Sequence, residues 1–257
     1  MPIVTITSDF GTTDYYLAII KGTLLQLDAT LNIIDISHNI KNYDIVQAAF
    51  VLKNAYHHFP KGSIHIISIN NFYAAGRCFL AIRHDGHYFI GPDNGIFYLM
   101  FGDELKDIYE LEQPPKSAFE LNDYYKKAVG HLLQGLPFNE IGIPLDSIEQ
   151  RISIQAVTTK SQIRGSVIHI DHYENVITNI DKTLFQQIGK SRSCQVSFRR
   201  HQPIQGISYN YSDVGVGETL CFFNSAGFLE IAINNGKASS MLGLMLEDSV
   251  QVDFDPS

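Results

Sequence analysis

Carboxylates that follow a short apolar run and lead into a helix are well placed to grip a ligand, and the chain begins with such a stretch, "TITSDFGTTDYY". Asp9 and Asp14 flank a Gly-Thr-Thr turn within it. Two readings are open: an N-cap and turn, in which Asp and Thr oxygens satisfy free backbone N–H groups, or a carboxylate pair that holds hydroxyls or a cationic group of a ligand. A second polar tip follows in "SHNIKNYD", where Tyr43 is either a stacking face or an aromatic that flanks a helix. A third closes "IHIISINNFYAAGR", Ile64 to Arg77, where an apolar run gives way to two asparagines, two aromatics and an arginine.

Other chemistries are not written in the chain. The ten histidines form no metal-ligand grouping with cysteines or carboxylates. His169, Asp171 and His172 come closest, but alternation along a strand sends Asp171 to the face opposite His172. There is no GxxxxGK[ST] phosphate loop, no GxGxxG and no GxSxG elbow, which disfavours ATP hydrolysis, nicotinamide chemistry and serine hydrolysis.

An open α/β sheet would gather the three polar tips, because ligands bind beyond the carboxyl ends of its strands. The first half of the chain has that texture. "IVTIT" is a β-branched run, and the next segment sets Leu17, Ile20, Leu24 and Leu27 on one helical face. "LNIIDIS" leads to the helical "YDIVQAAFVLKNAYHHF", and "SIHIISI" follows, so a largely parallel sheet is predicted. Asp85-Gly86 predicts a tight hairpin within "CFLAIRHDGHYFIGP", "GPDNG" is a rigid turn that shapes backbone, and "NDYYKKAVGHLLQGL" is a further helix ending near Gly135. Later segments such as "RGSVIHIDHYENVITNI" and "TLCFFNSAGFLEIAINNG" are short β-type runs between Gly, Asn, Asp and Ser. The expectation is an α/β N-terminal domain over residues 1–155 and an all-β, barrel-like C-terminal domain over 156–257.

Composition narrows the partner. The 257 residues are 45% hydrophobic and 18% charged, the texture of a soluble globular chain. Their 27 acidic and 19 basic side chains leave a formal charge of −8 without like-charge blocks. That argues against nucleic acid and for a small ligand or a protein partner. Three scattered cysteines read as free thiols; no apolar stretch is long enough for a membrane span, and the start lacks the form of a signal peptide. A cytoplasmic protein is expected.

Taken in order, "ITSDFGTTDYYLAIIKG", "IIDISHNIKNYDIVQAAFVL", "FPKGSIHI", "FIGPDNG", "IDHYENVITNI" and "NSAGFLEIAINNGKASSMLGL" resemble the S-adenosylmethionine hydroxide adenosyltransferases and their fluorinase and chlorinase relatives, from Ile3 to about Val252. The resemblance implies an α/β domain, a β-barrel domain and a homotrimer, with S-adenosylmethionine between domains of neighbouring subunits. It implies displacement at the ribose C5′ with methionine leaving, and neither cofactor nor metal, since the sulfonium is already an activated leaving group.

By the same resemblance, Asp9 matches a carboxylate that holds the ribose hydroxyls with its two oxygens, and Asp14 a residue near the methionine end. Tyr43 matches an aromatic stacked over the ligand. Asp171 matches a carboxylate that binds the methionine amine, Asn175 a group on the adenine or ribose side, and Ser225 one near the methionine carboxylate. "FLEIAINN" would supply backbone contacts to adenine. The hydroxide-transferring members carry an Asp-Arg-His set; the aligned residues here are Asn70, Arg77 and Glu120. The halogenating members use a hydroxyl and a backbone N–H where this chain has Tyr73 and Leu121, and a carboxylate at Glu120 would repel a halide. Two functions follow: a hydrolase in which Glu120 takes the negative role, Arg77 pairs with it and Asn70 orients water, or a protein that only binds S-adenosylmethionine or adenosine.

Overall fold

The computed structural model of the chain describes residues 3–71, 78–114, 117, 119–199 and 201–256. It divides into two compact units, Met1–Ile152 and Ser153–Ser257.

In the first unit β1 (Ile3–Ser8), α1 (Tyr16–Leu27), β2 (Asn32–Ser37), α2 (Ile45–Lys53) and β3 (Ile64–Ser68) alternate. β4 (Phe79–His84), β5 (His87–Pro92), α3 (Ile96–Phe101), β6 (Asp107–Glu110), α4 (Glu120–Leu133) and β7 (Ile143–Pro144) follow. The sheet order is β2-β1-β3-β5-β4-β6-β7. β2, β1, β3 and β5 are parallel neighbours, whereas β4 enters antiparallel to β5 and β6, and β7 antiparallel to β6. The sheet is therefore mixed yet largely parallel. Its reversal is the expected hairpin: Asp85 and Gly86 both have positive φ (46° and 75°), the left-handed pair that a tight two-residue turn requires.

Every residue of β3 is buried, since helices cover both faces. Ile64 and Ile66 pack with Leu17, Ile20 and Leu24 of α1 and Val129 of α4. Ile67 and Ile69 join Ala48, Ala49 and Leu52 of α2 and Phe97 of α3. α1 and α2 thus lie on opposite faces, and the 2-1-3 order puts a topological switch point at the carboxyl ends of β1 and β3.

Polar groups are also buried in this core. His65 on β3 is fully buried, with Nδ1 2.7 Å from the Thr5 hydroxyl and Nε2 3.1 Å from His87 Nδ1. Burial, and then neighbouring His87, push its pKa from the ordinary 6.5 down to about 3. The unfolded chain therefore binds a proton that the folded chain refuses, so His65 contributes stability above pH 6.5 that is lost as pH falls towards about 3. Urea titrations at stepped pH should show this slope, and His65→Leu should flatten it; an unchanged slope in the variant would assign the acid sensitivity to other groups.

The second unit is antiparallel throughout. It comprises β8 (Val157–Thr158), β9 (Gln162–Ile170), β10 (Val176–Asp181), α5 (Lys182–Gly189), β11 (Cys194–Phe198) and β12 (Ile204–Gln205). β13 (Thr219–Phe223), β14 (Phe228–Ile233), α6 (Ala238–Leu242) and β15 (Ser249–Phe254) complete it. The order β12-β11-β15-β9-β10-β14-β13 nearly closes on itself, because Ser208 just beyond β12 donates its N–H to Cys221 O of β13 at 2.8 Å. Alternate residues such as Val196, Val250, Val252 and Ile163 point into its core. Among the described residues no helix is long and apolar enough to cross a membrane.

Candidate active site

Asp9 leaves β1 at the switch point, and its carboxylate ties three loops together. Oδ2 accepts the Tyr43 N–H at 3.0 Å and the Asn70 N–H at 3.3 Å, so the exits of β2 and β3 are pinned to the exit of β1. Both donors sit in the left-handed region, Tyr43 at φ 68° and Asn70 at φ 47°. For a bulky tyrosine that conformation is costly and persists only where the surroundings hold it. Neither aspartate caps α1: its N-cap is Tyr15, which makes no side-chain capping bond. Asp9 does satisfy backbone N–H groups, but those of two distant loops. Its Oδ1 accepts no hydrogen bond from a described residue, so of the two oxygens the resemblance assigns to ribose, one is already engaged.

His38 braces the residues on either side of Asp9. Its Nδ1 is 2.7 Å from the Ser8 hydroxyl, and its carbonyl accepts the Gly11 N–H at 2.9 Å. Its Nε2 lies 3.1 Å from Asp35 Oδ1, an electrostatic contact without the alignment of a full hydrogen bond. Burial alone would raise the Asp35 carboxyl, but the Lys21 hydrogen bond and the His38 contact outweigh it and hold the carboxyl below its ordinary value. An ionised Asp35 favours a proton on Nε2 over one on Nδ1, and the tautomer with its proton there leaves Nδ1 to accept from Ser8. Asn94 supports β3 in the same manner: buried, it donates to Ile69 O at 2.8 Å and to Asn70 O at 3.4 Å. This is the function of "GPDNG", whose Gly91 has no room for a side chain because an added Cβ would lie 2.8 Å from Ile67 O.

These supports open a cleft of about 400 Å³ lined by Asp9, Asp14, Tyr43 and Asn70, with Phe10 and Leu121 among its apolar walls. Tyr43 is 70% exposed, so a face of its ring is available for stacking. No lysine or arginine lines the cleft among the described residues. Glu120 is not part of the lining; it is the half-buried first residue of α4, immediately before Leu121. Its charge helps raise the Tyr124 phenol, after burial and ahead of Cys78. Arg77 and Tyr73 lie outside the described residues. Sequence pattern does not single out Phe10, Asn94 or His38, whose contributions come from contacts with other elements.

The remaining expected residues belong to the second domain. Asp171 does not alternate along a strand with His172, because β9 ends at Ile170 and Asp171 opens the turn to β10. Its Oδ1 accepts the Asn175 N–H at 2.8 Å and its Oδ2 the Asn175 side-chain amide at 3.0 Å. Asn175 and Tyr211 line a cleft of about 620 Å³ with Ile233, Asn235 and Lys237. Glu174, pulled down to about 2 by hydrogen bonds from Lys237 and Ser240, fastens this turn to the start of α6. Ser225 is exposed at the tip of the β13–β14 turn and does not line this cleft. Among the described residues no group of three or more His, Cys, Asp or Glu side chains is arranged to hold a metal ion.

An α/β domain with a carboxylate at its switch point, followed by a nearly closed β-barrel whose cleft is lined by Asn175, Tyr211, Asn235 and Lys237, defines a two-domain protein with a polar cleft in each domain. The chain belongs to the SAM hydroxide adenosyltransferase family: residues 4–142 match its N-terminal domain and residues 165–251 its C-terminal domain. An (R)-S-adenosyl-L-methionine hydrolase of Methanocaldococcus jannaschii is 30% identical, with 99% of this chain and 97% of the relative aligned. One from Thermus thermophilus is 29% identical over 92% of this chain and 94% of its own. In fold, the crystal structure of an uncharacterized conserved protein from Thermotoga maritima matches with a TM-score of 0.88 at 27% identity, covering 98% of this chain and 99% of that one.

Proposed function

We propose that the protein is an S-adenosylmethionine hydrolase that forms adenosine and methionine. The observation that carries the reading is the first cleft, which offers Asp9 and Asp14 and no basic side chain among its described lining residues. Two carboxylates suit a ligand with hydroxyls and positive charge, and they repel phosphate. A sulfonium nucleoside has both features. Asp9 takes ribose hydroxyls through Oδ1, which accepts no hydrogen bond from a described residue, and Tyr43 stacks on the ligand.

In the reaction a water oxygen attacks C5′ opposite the sulfonium. The C–O bond forms as the C–S bond breaks, the electron pair returns to sulfur, and neutral methionine thioether departs. Alignment and exclusion of bulk water are the main levers, since the leaving group needs no further activation. Asn70 orients the water from the switch point, Glu120 accepts its proton and Arg77 pairs with Glu120. Asp171, Asn175 and Ser225 hold the methionine and nucleoside ends. The same reading takes the protein to be a cytoplasmic homotrimer with sites at subunit interfaces.

Purified protein incubated with S-adenosylmethionine should release adenosine and methionine in equal amounts, resolved by chromatography. Tight binding with no adenosine above the uncatalysed background would replace the hydrolase with the binding-only reading.

A further inference from the structure

The buried carboxylate of Glu230 on β14 has no place in the reaction described above, yet the hydrogen bonds that order Asn175 in the second-domain cleft and the turn that carries Ser225 both lead to it. It is 5% exposed, and each of its oxygens receives one donor: Oε1 the Tyr211 hydroxyl at 3.2 Å, Oε2 the Asn224 amide at 3.0 Å. Burial pushes its pKa up, the Asn224 hydrogen bond opposes that, the charge of Asp171 raises it again and the Tyr211 hydroxyl lowers it. Among the described residues the carboxylate thus has two neutral donors and no cation in hydrogen-bond reach.

Hydrogen-bond direction follows from that end. A Tyr211 hydroxyl that gives its one proton to Glu230 can only accept from Asn175 Nδ2, 3.0 Å away. The second proton of Asn175 Nδ2 goes to Asp171 Oδ2 at 3.0 Å. Turning the amide over would set its oxygen against a carboxylate oxygen, so two carboxylates dictate its orientation. Both amide protons are spent, and Asn175 Oδ1 accepts from no described residue. The other arm of Glu230 reaches the turn that carries Ser225, because Asn224 Oδ1 accepts the N–H groups of Ala226 at 3.0 Å and Phe228 at 3.1 Å.

We propose that Glu230 is a positioning residue for ligand binding: through Tyr211 it makes Asn175 present a hydrogen-bond acceptor to the cleft, and through Asn224 it holds the Ser225 turn. The cleft then selects a donor on the ligand, an amine or a hydroxyl. This rests on the reading that a nucleoside occupies the site.

Calorimetry of the full chain with adenosine, the unreactive product, tests the proposal apart from that reading. If the wild-type protein binds neither adenosine nor S-adenosylmethionine, the functional reading falls and this inference with it. If it binds, Glu230→Gln and Tyr211→Phe should each raise Kd at least fivefold, and Michaelis–Menten kinetics should show the loss in KM with kcat within about threefold. Because both act through one chain, the double variant should be no more than about threefold weaker than the weaker-binding single variant. A smaller rise in either single variant, a fall in kcat instead of a rise in KM, or fully additive losses would overturn the proposal. Should Glu230→Gln not fold, Tyr211→Phe decides by the same fivefold threshold, since its ring stays and only the hydroxyl is lost.

Discussion

Asp9→Asn should weaken adenosine binding by about thirtyfold, close to 2 kcal/mol, while the protein stays folded. The amide oxygen can still accept the Tyr43 and Asn70 N–H groups that Oδ2 accepts now, so the three loops remain tied. What turns towards the cleft in place of Oδ1 is an NH2 group, which cannot accept a ribose hydroxyl and carries no charge. Asp9→Ala would confound the two effects, because it also strips both N–H groups of their acceptor, at roughly 1–3 kcal/mol for each that is left buried and unpaired. Calorimetry on the asparagine variant with a thermal unfolding control separates them. Affinity within threefold of wild type would remove Asp9 from the ligand and with it the placement of the nucleoside in this cleft.

Glu120→Gln should lower kcat by about a hundredfold or more with KM nearly unchanged, the range expected when a positioned general base is lost. The substitution keeps the size of the side chain and removes only its ability to take the proton of the attacking water. Glu120 opens α4, and the adjacent Leu121, not Glu120, lines the cleft. Unchanged kcat would mean that the proton leaves by another route, and Asp9 and Asp14, the two carboxylates lining the cleft, would be the groups to examine next.

The local pattern of the chain revealed the frame of this site and little of its wiring. Leu17, Ile20 and Leu24 repeat at helical spacing and are the buried face of α1. Asp85-Gly86 carries its hairpin in its own backbone preferences. Periodicity also brought Asp9, Tyr43 and Asn70 to the carboxyl ends of successive strands. It could not show that one carboxylate oxygen bonds to both other loops, because those bonds join residues 34 and 61 positions apart and depend on left-handed backbone at a tyrosine and an asparagine. Alternation places Asp171 on a strand, but β9 stops one residue earlier, a boundary set by the Asp171–Asn175 hydrogen bonds rather than by hydrophobic pattern. His38 and Glu230 carry no such local signal, because the role of each lies in partners from other elements.

The central claim is that water displaces methionine at C5′, and the fate of the water oxygen tests it most directly. S-adenosylmethionine turned over in water labelled with heavy oxygen should give adenosine that carries the label in its 5′-hydroxyl, read by mass spectrometry of the nucleoside and its ribose fragment. Adenosine formed without label, or label found anywhere but the 5′ oxygen, would contradict the account.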